Sequence, residues 1–332
     1  MHIGVGSAGL RAGILSSLPR VCLARSSVPV WSCKTSLWTT KGQLPLVSTT
    51  HKHLLSTSST VFQDSLSETK TTPNVAPHFK RNLGVKKENE TSEKTMDYLL
   101  PHPIWSEDEV QKVTVTHREP EKRADKLAYY TVQLFRLGFD NFSGFNFGKR
   151  TESKWLRRVI FLETVAGVPG MVGGMLRHLR SLRRMERDHG WIHTLLEEAE
   201  NERMHLMTAL DLKKPSKLFT FMVLGAQGIF VNIFFIAYLL SPMFCHRFVG
   251  YLEEEAVITY TKLIEEIDNG TMAEWQNKSA PEIATKYWKL GPDAMMRDVI
   301  LAIRADEAHH RDVNHTLGTM KMTDQNPFGP GQ

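Results

Sequence analysis

Two Glu-x-x-His pairs, Glu202-Arg203-Met204-His205 and Glu307-Ala308-His309-His310, are the residues here whose types and spacing best suit chemistry. Positions three apart on an α-helix share a face, so each pair can aim a carboxylate and an imidazole at one point. A single such pair usually makes only a solvated face or a local hydrogen bond. Two pairs, completed by single inward glutamates from two further helices, form the ligand set of a carboxylate-bridged bundle holding two iron or manganese ions. Glu163 closes the apolar run Val159-Ile160-Phe161-Leu162, where burial without a metal or partner would be costly. Glu253 follows Val249-Gly250-Tyr251-Leu252 in the same manner. The order is then Glu163, Glu202 with His205, Glu253, Glu307 with His310. Spacing leaves two choices open. Glu253, Glu254 and Glu255 are adjacent, so only one or two can face inward and the others are expected to be exposed; Asp306-x-x-His309 is an alternative pair one position back.

Such a ligand set needs helices to carry it, and beyond Arg118 the sequence is rich in Leu, Met, Ala, Glu and Arg with few strand-like alternations. The pattern predicts helices near 122–138, 153–184, 189–212, 216–241, 244–269 and 294–318, with breaks marked by Gly190, Pro215, Pro242 and Asn269-Gly270. The expected fold is all-α: a ferritin-like four-helix bundle with additional membrane-contacting helices. Residues 218–245 contain no charged side chain and are long enough to span a bilayer. Yet Glu202-x-x-His205 lies before that segment and Glu253 after it, each about ten residues from a helix end. An antiparallel return would bring the two clusters to within roughly 10 Å in height, so a helix that touches the membrane without crossing it is the better compromise.

Composition sets the remaining limits. The chain of 332 residues carries 41 Lys and Arg against 36 Asp and Glu, but six of the basic residues precede the first acid, Asp64; without them the balance is 35 against 36. The excess positive charge therefore belongs to the N-terminal stretch, and nucleic acid loses its electrostatic support as a partner. Residues 1–60 lack acids, are crowded with Ser and Thr, and space Arg11, Arg20 and Arg25 among apolar residues, as organelle transit peptides do. Residues 61–115, punctuated by Pro73, Pro77, Pro101 and Pro103, are expected to form an extended arm. The catalytic domain would occupy 116–320 and a tail 321–332. Cys245 is the single cysteine beyond Cys33, which excludes an intrachain disulfide framework downstream.

Four segments also carry a family resemblance: Leu162-Glu163-Thr164, Asn201-Glu202-Arg203-Met204-His205-Leu206, Leu252-Glu253-Glu254-Glu255-Ala256 and the run Arg304 to His315. Together they resemble the signature motifs of the mitochondrial alternative oxidases, over about residues 105–318. The ending Asn326-Pro327-Phe328-Gly329-Pro330-Gly331 is similar to that of the animal branch.

The resemblance implies a ubiquinol:oxygen oxidoreductase with two non-haem iron ions, held on the matrix face of the mitochondrial inner membrane and associated as a homodimer. It implies Glu163, Glu202, His205, Glu253, Glu307 and His310 as iron ligands, Asn201 and Asp306 as side chains that orient them, and Tyr260 as the catalytic tyrosine. It implies a quinol pocket containing Arg136, Arg158, Leu162, Ala256 and Thr259. Helix geometry agrees for Tyr260, two turns beyond Glu253 on the same face. The basic series Arg177, Arg180, Arg183, Arg184 and Arg187 suits anionic headgroups or a solvated face, and Gly170, Gly173 and Gly174 suit close helix packing, a dimer contact included. Residues 61–150 lack the regulatory cysteine of the plant members, which puts thiol switching and keto-acid activation in doubt. A di-iron hydroxylase of quinone precursors, a plastid quinol oxidase and a ferritin-like iron store are the competing readings.

Overall fold

The computed structural model describes residues 99–332, and these contain nine helices and no strand. The expected transit peptide and most of the arm lie outside the described residues. The helices are α1 (Glu107–Lys112), α2 (Arg123–Phe142), α3 (Glu152–Arg184), α4 (Trp191–Leu212), α5 (Lys217–Leu240), α6 (Pro242–Asp268), α7 (Ala273–Gln276), α8 (Glu282–Tyr287) and α9 (Met296–Leu317). Six of them match the helices anticipated from pattern, with ends displaced by a few residues. The short α1 interrupts the expected extended arm: Ser106 and Glu109 form a reciprocal cap that supplies partners for its first turn.

Helices α3 and α4 pack along one another, as do α6 and α9, while α2 lies against α6 and α5 against α3 and α6. The α3–α4 contact is close because Gly170 has no side chain. A Cβ there would stand 2.4 Å from the Leu195 carbonyl oxygen. Gly173 and Gly174 likewise face Leu195 and Leu196, so this small-residue stripe serves an internal contact with α4.

The uncharged stretch 218–245 is two helices. The Ser241 side chain accepts from the Phe244 amide and Pro242 occupies the first turn of α6, so α5 stops at Leu240 and the chain turns back. Among the described residues α3 and α5 are both long and apolar enough to cross a membrane. On α5, Leu218, Phe221, Leu224, Ile229, Ile233, Ile236, Leu239 and Leu240 are exposed; on α2, Leu127, Leu134, Leu137 and Phe142 are too.

Candidate metal centre

The apolar environment of the four long helices α3, α4, α6 and α9 encloses six ionisable side chains. Glu163 on α3, Glu202 and His205 on α4, Glu253 on α6 and Glu307 and His310 on α9 are all buried. Their candidate ligand atoms fall into two groups, each within 4.8 Å: Glu163, Glu202, His205 and Glu307, then Glu202, Glu253, Glu307 and His310. Glu202 and Glu307 belong to both, the arrangement of carboxylates that bridge two ions. The antiparallel return through α5 and α6 thus sets Glu253 beside the α4 pair.

Electrostatics show what this box needs. Burial, reinforced by Glu202 and Glu307, holds Glu163 well above the usual carboxylate range. Burial and the same two neighbours do likewise for Glu253. Burial would also raise Glu202, but His205 and His310 outweigh it and hold that carboxyl well below its ordinary value. Burial opposes charge on His310 as well, yet Glu202 chiefly carries it up to about 9. Like charges this close cannot all ionise without a cation. Glu163 Oε2, Glu202 Oε2 and His205 Nδ1 are moreover buried without a hydrogen-bond partner. His205 Nδ1 stands 3.5 Å from each of those oxygens and 3.4 Å from Glu307 Oε1. Atoms each about 2 Å from a shared ion lie about 3 to 4 Å from one another. The donor set therefore fits a pair of metal ions, and carboxylate with imidazole suits iron.

The choices that spacing left open are resolved by contacts. Asp306 points away from the box: His205 Nε2 donates to it at 3.1 Å, Trp105 and Trp288 donate their indole N–H groups at 2.6 and 2.8 Å, and Asn201 donates at 3.0 Å. Asn201 also donates to the Tyr287 hydroxyl at 3.0 Å. His309 lies outside the cluster, beside Trp105 and Phe328. The expectation that the outer glutamates of the triplet are exposed is corrected. Glu254 is buried and accepts from His117, the Arg118 amide and His315 at 2.7–2.9 Å. Glu255 is partly buried and pairs with Arg136 and Gln133. Consecutive helical positions turn by about 100°, and three packed neighbours surround this turn of α6. Arg177, too, leaves the basic face: it is buried on the Trp191 ring, pairing with Asp188 at 2.5 Å. Arg183, Arg184 and Arg187 remain exposed.

Beside the box is a cavity of about 230 Å³ between α2, α3, α5 and α6. Arg136, Arg158, Leu162, Ala256 and Thr259 all line it, together with Tyr260, Glu163, Glu253 and Glu307. Aromatic side chains, including Phe139, Phe161 and Phe248, supply much of the wall. The Tyr260 hydroxyl donates to Glu163 Oε1, so this residue borders both compartments. Burial, then the Glu163 charge, raises its phenol well above the ordinary value. Arg158 is buried against the Phe139 and Phe145 rings and pairs with Asp140. Its Nε has no partner. Two residues here were missed from sequence: Glu255, which lines the cavity, was discounted as one of a triplet, and Asp140, which pairs with the lining Arg158, carried only the four-residue spacing from Arg136 as a signal.

The chain carrying this site is similar to known proteins. A family model described as alternative oxidase matches residues 105–319. The mitochondrial alternative oxidase of Emericella nidulans is 56% identical over 239 residues, 68% of each chain. That of Aspergillus niger is 54% identical over 248 residues, 71% of this chain and 70% of the other. The mitochondrial alternative oxidase of Trypanosoma brucei brucei is 53% identical over 230 residues, 68% of this chain and 70% of the other. At these identities, and with the family match running through both Glu-x-x-His helices and the helices that face them, the chain belongs to the alternative oxidase family.

Proposed function

We propose that this protein oxidises ubiquinol and reduces dioxygen to water, with two iron ions held by Glu163, Glu202, His205, Glu253, Glu307 and His310. The observation that carries the reading is the shared wall. The side chains suited to a quinol ring and those suited to metal line one cavity, with Tyr260 between them. When bound, iron supplies the redox capacity and open coordination positions that dioxygen reduction needs. Two quinols provide four electrons and four protons, and one dioxygen consumes both to yield two waters. The reaction balances without protons from elsewhere, so it needs no pumping.

The protein's own groups have definite tasks. Leu162 and Ala256 hold the quinol ring, and the unpartnered Arg158 Nε donates to its oxygen. Thr259 gives its own proton to the Glu255 carbonyl at 2.8 Å, so its oxygen is left to accept from a quinol hydroxyl. Arg136, paired with Glu255, fixes the rim. Tyr260 delivers a proton from its hydroxyl oxygen and an electron from its ring, and the resulting phenoxyl radical is reduced again by quinol. Asp306 and Asn201 orient His205 from outside.

Quinol lives in the bilayer, and the exposed apolar faces of α2 and α5 suit attachment to one leaflet. The protein is then mitochondrial, on the matrix face of the inner membrane, with its N-terminal transit peptide removed on import. Met171, Met175, Leu179 and Leu182 form an exposed stripe along α3 that suits a second copy in a homodimer. The deciding experiment is oxygen uptake by membranes containing the protein: ubiquinol-dependent, cyanide-resistant and hydroxamate-sensitive consumption is expected. Its absence from iron-replete membranes would sink the oxidase reading, and iron loading far beyond two atoms per chain would favour storage instead.

A further inference from the structure

The guanidinium of Arg158 is held by a carboxylate through one of its nitrogens. Its Nη1 pairs with Asp140, while its Nε is buried without a partner. A carboxylate that takes both Nε and Nη of an arginine closes a two-bond fork and leaves neither free. A single contact leaves the planar group able to turn about it and close that fork. If Nε is to stay available to the cavity, another group must fix the plane.

Two rings lie against this guanidinium. Its carbon is 5.2 Å from the centre of the Phe139 ring and 4.4 Å from that of Phe145. Phe139 lines the cavity; Phe145, the nearer of the two, does not. The loop that carries Phe145 buries it selectively, for Phe142 and Phe147 on either side are 80% and 67% exposed while Phe145 is 5% exposed. Several contacts hold it there. Trp155 meets its ring edge to face at 4.8 Å, and the Trp155 indole donates to Glu266 at 2.8 Å. The Phe145 amide donates to the main-chain oxygen of Asp140 at 3.3 Å, so the residue that pairs with Arg158 also anchors the ring against it. Gly144, at φ +63°, permits the reversal, and Lys154 closes it by donating to the Gly144 oxygen at 3.1 Å and to that of Phe147.

We infer that Phe145 is a positioning residue for quinol binding, its ring holding the Arg158 guanidinium in the plane that keeps Nε from Asp140 and available to a quinol oxygen. A buried cation gains from lying against an aromatic face, and the gain is lost as the cation turns away. Without the ring, Arg158 closes the fork with Asp140 and the donor is withdrawn from the substrate. Phe145 belongs to neither the cavity lining nor the metal box, so its influence on quinol passes through Arg158.

The inference rests on the reading of Arg158 as a quinol donor, and the experiment separates the two. Oxygen uptake with a short-chain ubiquinol is followed on membranes containing the full-length protein, with iron content measured on the same preparation. An unchanged KM in Arg158→Lys would end that reading and this inference with it. Where Arg158→Lys is impaired, Phe145→Leu should raise the quinol KM about 3- to 10-fold with kcat and iron content retained. Phe145→Tyr, which keeps the ring face, should stay within about twofold of the unsubstituted protein. Combined with Arg158→Lys, which has no planar fork left to hold, Phe145→Leu should add little. An unchanged KM in Phe145→Leu beside an impaired Arg158→Lys overturns the inference alone. So does an equal rise in the Leu and Tyr variants, or a Leu effect undiminished in the double variant. Loss of iron or of kcat in Phe145→Leu, as general loosening of the bundle would give, also overturns it.

Discussion

The box and the cavity share Glu163, Glu253 and Glu307, with Tyr260 at their border, yet they are built on opposite principles. The box concentrates four carboxylates and two imidazoles where water is excluded, so its groups satisfy one another poorly and three of their atoms have no partner. The cavity is walled mainly by aromatic and aliphatic side chains, with its charged residues paired at the margin: Arg158 with Asp140, Arg136 with Glu255. One region is unstable without a cation and the other is ready for an apolar ring. Their common boundary of Glu163, Glu253 and Glu307, with Tyr260 bonded to Glu163, sets a place suited to metal directly beside one suited to an apolar ring.

The largest effect should come from breaking the box. Glu163→Ala, Glu202→Ala or Glu307→Ala removes a charged ligand and should abolish both iron binding and oxygen reduction, checked by iron content and oxygen uptake on one preparation. Full activity in any of them would end the metal assignment. Breaking the shared wall should divide the two functions. Tyr260→Phe removes one oxygen while the ring still fills its space; iron content should be retained and turnover should fall by orders of magnitude. If the hydroxyl only satisfies Glu163, the cost would be on the order of 1 kcal/mol in stability, with turnover largely intact.

Acidity sharpens the contrast further. Glu163 and Glu253 are both raised, so in the metal-free protein they hold protons that a cation must displace, as it must from the charged imidazoles. Metal affinity should therefore rise with pH and fall as pH is lowered, with protons released on loading; titration in weakly buffered solution measures both. On the cavity side, Arg158→Lys keeps the charge opposite Asp140 but loses the planar donor fork. It should raise the quinol KM about 10-fold, the equivalent of one hydrogen bond, with kcat nearly unchanged. The mildest change lies outside both regions. Replacing exposed Ile229, Ile233 and Ile236 by Asn should leave iron content intact, while sedimentation with vesicles shows protein released from the membrane.

Sequence alone determined which residues travel together within a helix. A period of 3.6 places Glu202 with His205, and Glu307 with His310, on common faces whatever surrounds them, and Tyr260 lies two turns from Glu253 by the same arithmetic. The apolar runs before Glu163 and Glu253 marked those carboxylates as buried, because the transfer cost of charge is a local property. Tertiary structure decided which face meets which neighbour. Three adjacent glutamates on α6 acquired three fates: Glu253 in the box, Glu254 bound to His117 and His315, and Glu255 on the cavity wall. Asp306 is held outside the box because Trp105, 201 residues away, and Trp288 converge on it. Arg177 left the basic surface because Asp188 and Trp191 receive it. Helical spacing fixes angles about one axis; the rotation of each helix toward the others is set by long-range packing, which no local pattern encodes.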